Sequence, residues 1–180
     1  MLDKYLKSPP ILFLIKAFSL FIAWYFIYEL WLHPYTDIDL LVIDNIIFLS
    51  EIGLSLIGFD IIPDVYDASF RTVGIDGTHG VWIGDSCNGI TIFALFTGFI
   101  VAYPGKLKAK LLFIFLGILS IHVLNVIRIM ALTSILLYAP ESLEFNHTYT
   151  FTTITYAYIF YLWYLWANKY SSFKISIDEK

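Results

Sequence analysis

Residues 111–138 read LLFIFLGILSIHVLNVIRIMALTSILLY, an apolar run whose only formal charge is Arg128. It follows the basic stretch Lys106-Leu107-Lys108-Ala109-Lys110 and stops at Ala139-Pro140-Glu141. At ~1.5 Å of rise per residue such a run exceeds a hydrocarbon layer of ~30 Å. It is therefore read as a long helix that crosses a membrane. Working outward, residues 88–104 form a shorter apolar span ending at Tyr103-Pro104-Gly105, and residues 148–167 form the last one. Toward the N-terminus, Lys4, Lys7, Pro9 and Pro10 precede an apolar helix over residues 11–32, closed by His33-Pro34. Lys16 lies near the start of that helix and can snorkel back to the interface.

Residues 38–58 are also apolar, but Asp37, Asp44, Glu51 and Ser55 recur there at spacings of seven and four. On a helix these positions fall along one narrow stripe. The segment is expected to lie at the interface, to re-enter the bilayer, or to line the bundle. Residues 59–86 change character. Asp60, Asp64, Asp67, Arg71, Asp76, His79 and Asp85 are mixed with β-branched and aromatic residues and with glycines at 74, 77, 80 and 84. Asp76-Gly77, between Phe70–Ile75 and Val81–Ile83, is a hairpin signal. A small water-facing β insertion is expected here.

Composition agrees with the membrane reading. Of 180 residues, 59% are hydrophobic and 14% charged, against about 25% charged in soluble domains. Aromatic residues gather near the ends of apolar runs, as in Trp24-Tyr25-Phe26 and Trp163-Tyr164-Leu165-Trp166, where headgroup-depth Tyr and Trp are expected. All nine lysines lie in the N-terminal stretch, the 106–110 loop or the C-terminal tail with Lys169, Lys174 and Lys180. No basic aromatic patch points to nucleic acid. The single cysteine, Cys87, excludes an internal disulfide and a multi-cysteine zinc site, and neither a metal nor a cofactor is expected. The first apolar run has no convincing cleavage site after it, so no cleavable signal is expected.

Short loops rich in Lys and Arg stay cytoplasmic, which places the 106–110 loop and the tail inside. Residues 59–87 and 139–147 then face out. With Lys4 and Lys7 also inside, parity demands an odd number of crossings before residue 87. Helix 11–32 supplies one and leaves 38–58 as non-crossing; an external N-terminus with both helices crossing is the alternative. The expected fold is an α-helical integral membrane bundle forming one domain over residues 1–180. It has about four spanning helices, one interfacial or re-entrant helix and an extracytoplasmic β-hairpin insertion at 59–86.

This arrangement brings three distant residues to one depth. Cys87 opens its span from outside, within the polar, turn-rich run Gly84-Asp85-Ser86-Cys87-Asn88-Gly89. Unpaired N–H groups at a helix start favour a thiolate, whereas a close Asp85 opposes it. Arg128 lies 17 residues beyond Leu111, roughly 26 Å along a helix and so near the outer boundary. An arginine there binds a lipid phosphate or serves as a fixed cation for a carboxylate or oxyanion. Asn125, one turn earlier, is placed to orient it. His147 immediately precedes the last span. His33, His79 and His122 are rivals, but only His147 is both external and at the mouth of a span. The combination supports thiol chemistry: Cys87 attacks a peptide carbonyl, His147 acts as base and then acid, and Arg128 stabilises the oxyanion.

Taken in order, Cys87-Asn88-Gly89 at a span start, Asn125-Val126-Ile127-Arg128 in the next helix and His147 before the last resemble the Cys-x-Gly, Asn-x-x-Arg and His positions of the exosortase/archaeosortase family. The resemblance covers roughly residues 60–167, and the small size is similar to the short variants of Bacteroidetes, such as the exosortase F type. Family members more often carry serine where Asn88 stands, and many have about eight spans. The resemblance implies a cysteine transpeptidase of the bacterial inner membrane, its site facing the periplasm. It further implies substrates with a C-terminal motif, a membrane helix and a basic tail, cut through a thioester and passed to a lipid or polysaccharide acceptor. Asn88, Gly89 and Asn125 would support the three catalytic residues. Three other classes are open: a non-enzymatic assembly or scaffold subunit, an aspartyl membrane protease using Asp60, Asp64 or Asp85, and a transporter.

Overall fold

A computed structural model describes residues 8–62 and 71–171. Lys4, Lys7, Asp64, Asp67, Phe70, Lys174 and Lys180 lie outside the described residues. Helix α1 spans Pro9–Ile27 and is prolonged by a π turn at Tyr28–Leu32 and a last turn at His33–Tyr35. Proline in its first turn forfeits an N–H that has no helical partner in any case. Helix α2 is Ile38–Leu56, followed by strands β1 (Thr72–Val73) and β2 (Val81–Trp82) and a 3-10 turn at Asp85–Cys87. Helix α3 is Ile90–Ala102 and helix α4 is Leu107–Tyr138. Short turns at Pro140–Ser142 and Leu143–Phe145 lead into a π turn at Asn146–Thr150 and helix α5, Phe151–Leu165, which ends in a further π turn at Trp166–Tyr170.

The chain is thus a mostly helical membrane protein with a small two-stranded sheet. Among the described residues two helices, Pro10–Tyr35 and Leu107–Tyr138, are long and apolar enough to cross a membrane, and the apolar Ile90–Ala102 is shorter. Along α1, Leu14, Phe18, Leu30 and Trp31 are each at least 60% exposed. Apolar surface on that scale calls for lipid rather than water around it. Helix α4 starts four residues earlier than the apolar run, so Lys108 and Lys110 belong to its first turns. A cation is unfavourable at that end of a helix dipole. Lys110 Nζ instead donates to the carbonyl oxygen of Val101 at 2.7 Å, in the last turn of α3, where an orphan acceptor is available.

Contacts divide the chain into two compact units. One comprises the described residues up to Tyr35, Ile90–Leu119, and those from Tyr158 onward. Aromatic side chains build its interior. The Phe13 ring meets Phe99 edge-on, Phe99 stacks on Trp163 with centroids 4.4 Å apart, and Phe113 sits against both Phe96 and the fully buried Trp166. Gly117 on α4 faces the Phe96 ring directly.

The other unit comprises Thr36–Gly89 and Ser120–Ala157. Its core joins Ile43, Ile46 and Leu54 of α2, Val73, Ile75 and Ile83 of the hairpin, and Val126, Ile129 and Leu132 of α4. The hairpin pairs Thr72 with Trp82 and Val73 with Val81, antiparallel, and residue 61 bridges to 75. The ladder is shorter than the expected 70–75 and 81–83. Gly77 and Gly80 both adopt positive φ, so the connection widens beyond a two-residue turn. On α2 the expected stripe positions Asp37, Asp44 and Ser55 are exposed, while Asp39, Ile43, Ile46, Ser50 and Leu54 form the buried face.

The glycines offer a test of the first unit. A Cβ on Gly117 would lie 2.2 Å from the Phe96 ring, whereas one on Gly98 meets nothing within 4 Å. Gly117→Ala should lower thermal stability in detergent by about 1–3 kcal/mol through overpacking, and Gly98→Ala should leave it unchanged or raised. Intrinsic-fluorescence melting curves measure both; equal behaviour of the two variants would contradict this packing.

Candidate active site

The run from Gly84 to Gly89 folds as its composition dictates. The N–H of Ile83 donates to the carbonyl oxygen of Arg71 at 2.7 Å and closes the hairpin ladder. The chain then coils through the 3-10 turn, with Cys87 N–H donating to Gly84 O at 2.9 Å and Asn88 N–H to Asp85 O at 3.4 Å. Gly89 takes φ +81°, a left-handed conformation that a Cβ would strain, and turns the chain into α3. Cys87 is 8% exposed and belongs to the apolar core beside Val126 and Ile129.

Two amides from outside the turn hold it. Asn125 Nδ2 on α4 donates to the carbonyl oxygen of Cys87 at 2.7 Å. Asn88 Nδ2 donates to Oδ1 of Asp39, from the first turn of α2. Asn88 and Asp39 are 2% and 5% exposed, and hydrogen bonds to acidic groups at such depth contribute more than neutral surface ones. Arg71 Nη1 forms an ion pair with Asp85 Oδ1. The hairpin, α2 and α4 therefore each grip the segment that carries the sulfur.

His147 arrives from the π turn Asn146–Thr150. Such a turn widens the helix and leaves carbonyls with poorer partners; here Thr152 Oγ1 donates to the His147 carbonyl oxygen at 3.3 Å. The imidazole is half-buried, and its Nε2 stands 3.7 Å from Cys87 Sγ. Ser86 Oγ lies 3.9 Å from the same sulfur. Thiol and imidazole, 60 residues apart in sequence, are thus within range of a sulfur hydrogen bond.

Arg128 is half-buried on α4, three residues after Asn125, which puts the two on one helix face. Its Nε is buried with no hydrogen-bond partner among the described residues. A guanidinium N–H in that state has lost its water without replacement and is available to an incoming acceptor. Of the rival histidines, His122 Nε2 pairs with Asn45 Oδ1 at 2.8 Å, His79 is exposed in the hairpin loop, and His33 is exposed with its ring 5.6 Å from that of Tyr28. None of these contacts involves the sulfur.

Asp39 went unread in the sequence, although a signal for it exists. It precedes Ile43 by four residues and so falls on the face that continues through Ile46 and Leu54. An acid on the apolar face of an amphipathic helix requires a buried partner. Asp39→Ala removes that acceptor from the buried Asn88 amide, and unfolding in detergent should show a loss of about 1–3 kcal/mol. Asp39→Asn keeps an oxygen acceptor and should lose less; a larger loss for Asn than for Ala would contradict the pairing.

The family model for transmembrane exosortases matches residues 10–164. No curated protein and no solved structure matches the chain. The matched stretch takes in α1 to α5 almost entirely, with Cys87, Arg128 and His147 inside it, and the chain belongs to the transmembrane exosortase family.

Proposed function

We propose that the chain is a membrane cysteine transpeptidase that cuts C-terminal sorting signals of exported proteins and passes them to an envelope acceptor. Membership of the exosortase family supports a membrane transpeptidase. The observation that carries the reading is the 3.7 Å separation of Cys87 Sγ and His147 Nε2. Catalytic hydrogen bonds are often this long before substrate arrives and tighten in the complex.

The chemistry assigns each residue a step. His147 takes the thiol proton, and the Cys87 sulfur attacks the scissile carbonyl to form a C–S bond and an oxyanion. The Arg128 guanidinium, whose buried Nε has no hydrogen-bond partner among the described residues, stabilises that oxyanion where little water competes. His147 then returns the proton to the departing amine as the C–N bond breaks, which leaves a thioester on Cys87. An amine or hydroxyl of a lipid or polysaccharide acceptor displaces the thiol and completes the transfer, whereas water in its place gives hydrolysis. Asn125 and Asn88, with Gly89 between the turn and α3, position the nucleophile. Four crossings with the lysine loop inside would set this site at the periplasmic face of the inner membrane. The substrates would bring a short motif, a membrane helix and a basic tail.

Substitution tests the assignment. In cells carrying Cys87→Ala, exported proteins with a C-terminal membrane helix and basic tail should stay at full precursor length. His147→Ala and Arg128→Gln should slow cleavage by about 10²-fold or more. With a C-terminal peptide from such a precursor, intact-mass analysis should find an adduct on the sole cysteine that hydroxylamine releases. Cleavage that survives Cys87→Ala would reject the mechanism.

A further inference from the structure

The β-hairpin has no part in the chemistry above, yet the residue at the head of its first strand reaches the nucleophile turn. Arg71 is fixed twice: its carbonyl oxygen accepts from Ile83 N–H at 2.7 Å, and its guanidinium pairs with Asp85. Asp85 is the first residue and Cys87 the last of one 3-10 turn. At ~2 Å of rise per residue, their side chains lie well within a Debye length of ~8–10 Å. A carboxylate so placed disfavours a thiolate; a guanidinium bound to it cancels much of that field.

We propose that Arg71 is a positioning residue for the nucleophile, holding Asp85 in an ion pair so that its charge does not suppress the Cys87 thiolate. The proposal rests on the reading of Cys87 as the reacting group, and it gives the hairpin its purpose: to deliver a cation to a turn that carries an acid beside the sulfur. Of the other charged or titratable groups on these elements, Asp39 on α2 is held to Asn88 and His147 on the π turn faces the sulfur, while Arg128 lies on α4; Asp44, Glu51, Asp76, His79 and His122 also lie on α2, the hairpin and α4. Asp85 forms its ion pair with Arg71. The pair is 24% and 42% exposed at its two side chains, so water and salt weaken it, and the effect to look for is one of severalfold rather than of orders of magnitude.

Because Cys87 is the chain's single cysteine, its reactivity can be followed without any substrate. The probe is iodoacetamide, applied to the full-length protein in detergent at low ionic strength, with the second-order alkylation rate measured from pH 6 to 9 by intact mass. A tenfold fall in thiolate population should appear as an alkylation rate about threefold slower, since intrinsic nucleophilicity changes in the compensating direction. Arg71→Gln, which leaves Asp85 uncompensated, should therefore slow alkylation near neutral pH about threefold and shift the rate profile to higher pH. Asp85→Asn breaks the same ion pair from the other side and should leave alkylation as fast as in the parent protein or faster. The double variant should match Asp85→Asn, and Arg71→Lys, which keeps the charge, should restore most of the rate if Arg71→Gln misfolds.

The opposite signs are the test. A pair that only braces the turn would give equal losses for Arg71→Gln and Asp85→Asn, and that result overturns the proposal. So would unchanged alkylation in Arg71→Gln, or a double variant as slow as Arg71→Gln. These rates are independent of whether precursors are cleaved, so failure here is distinct from survival of cleavage in Cys87→Ala, which bears on the transpeptidase reading alone.

Discussion

The backbone carbonyl of Cys87 lies among apolar side chains, where an acceptor left without a donor costs on the order of 1–3 kcal/mol. Asn125 supplies the donor from the interior of α4. That one bond constrains much else in its unit. It fixes how α4 is turned about its axis. With that rotation set, Val126 and Ile129 point into the core that holds Cys87, and Arg128, three residues on, shares the face of Asn125. Asp39 does the equivalent from α2 through Asn88. The turn that carries the sulfur is therefore held by neighbouring elements rather than by its own short ladder.

Polar side chains in apolar helices fall into two groups here. Thr133, Ser134 and Thr155 each donate back to a carbonyl four residues earlier, and Asn168 does the same. These satisfy themselves within one helix and build nothing beyond it. Asn125, Asp39 and the Asn45–His122 pair reach between elements instead. Arg128 Nε does neither. In a medium without water such a group calls for a partner; Ser50 Oγ, Trp163 Nε1 and Trp166 Nε1 are likewise buried without one among the described residues, and of the four only Arg128 carries a charge.

Much of the architecture was legible because apolar run length and punctuation are strong signals. Pro9-Pro10, His33-Pro34, Tyr103-Pro104-Gly105 and Ala139-Pro140 all sit within a few residues of the observed helix ends. The Asp76-Gly77 pair marked the hairpin. The closeness of Cys87 to His147 followed from lysine positions and helix lengths, which locate residues by depth. Depth does not give azimuth, however. Which side of α2 is buried depended on Asp39 having a partner 49 residues away, and the Arg71–Asp85 pair depended on a ladder register that two-residue strands barely encode. Of the expected spans, two are long and apolar enough among the described residues to cross a membrane. Helix α3 has thirteen residues, shorter than the expected 88–104, because the polar turn before it and Tyr103-Pro104-Gly105 after it bound the helix.

The π turn at Asn146–Thr150 has an implication for how this segment can vary. It fits one residue more than an α-helix needs into about the same rise and nearly the same angular sweep, so the surplus is absorbed within the turn and the face before it stays in register with the face after it. What the surplus alters is local: the carbonyl oxygen of His147 takes its hydrogen bond from Thr152 Oγ1, five residues on. The imidazole is thus carried on a stretch where a change of one residue need not rotate the helix that follows.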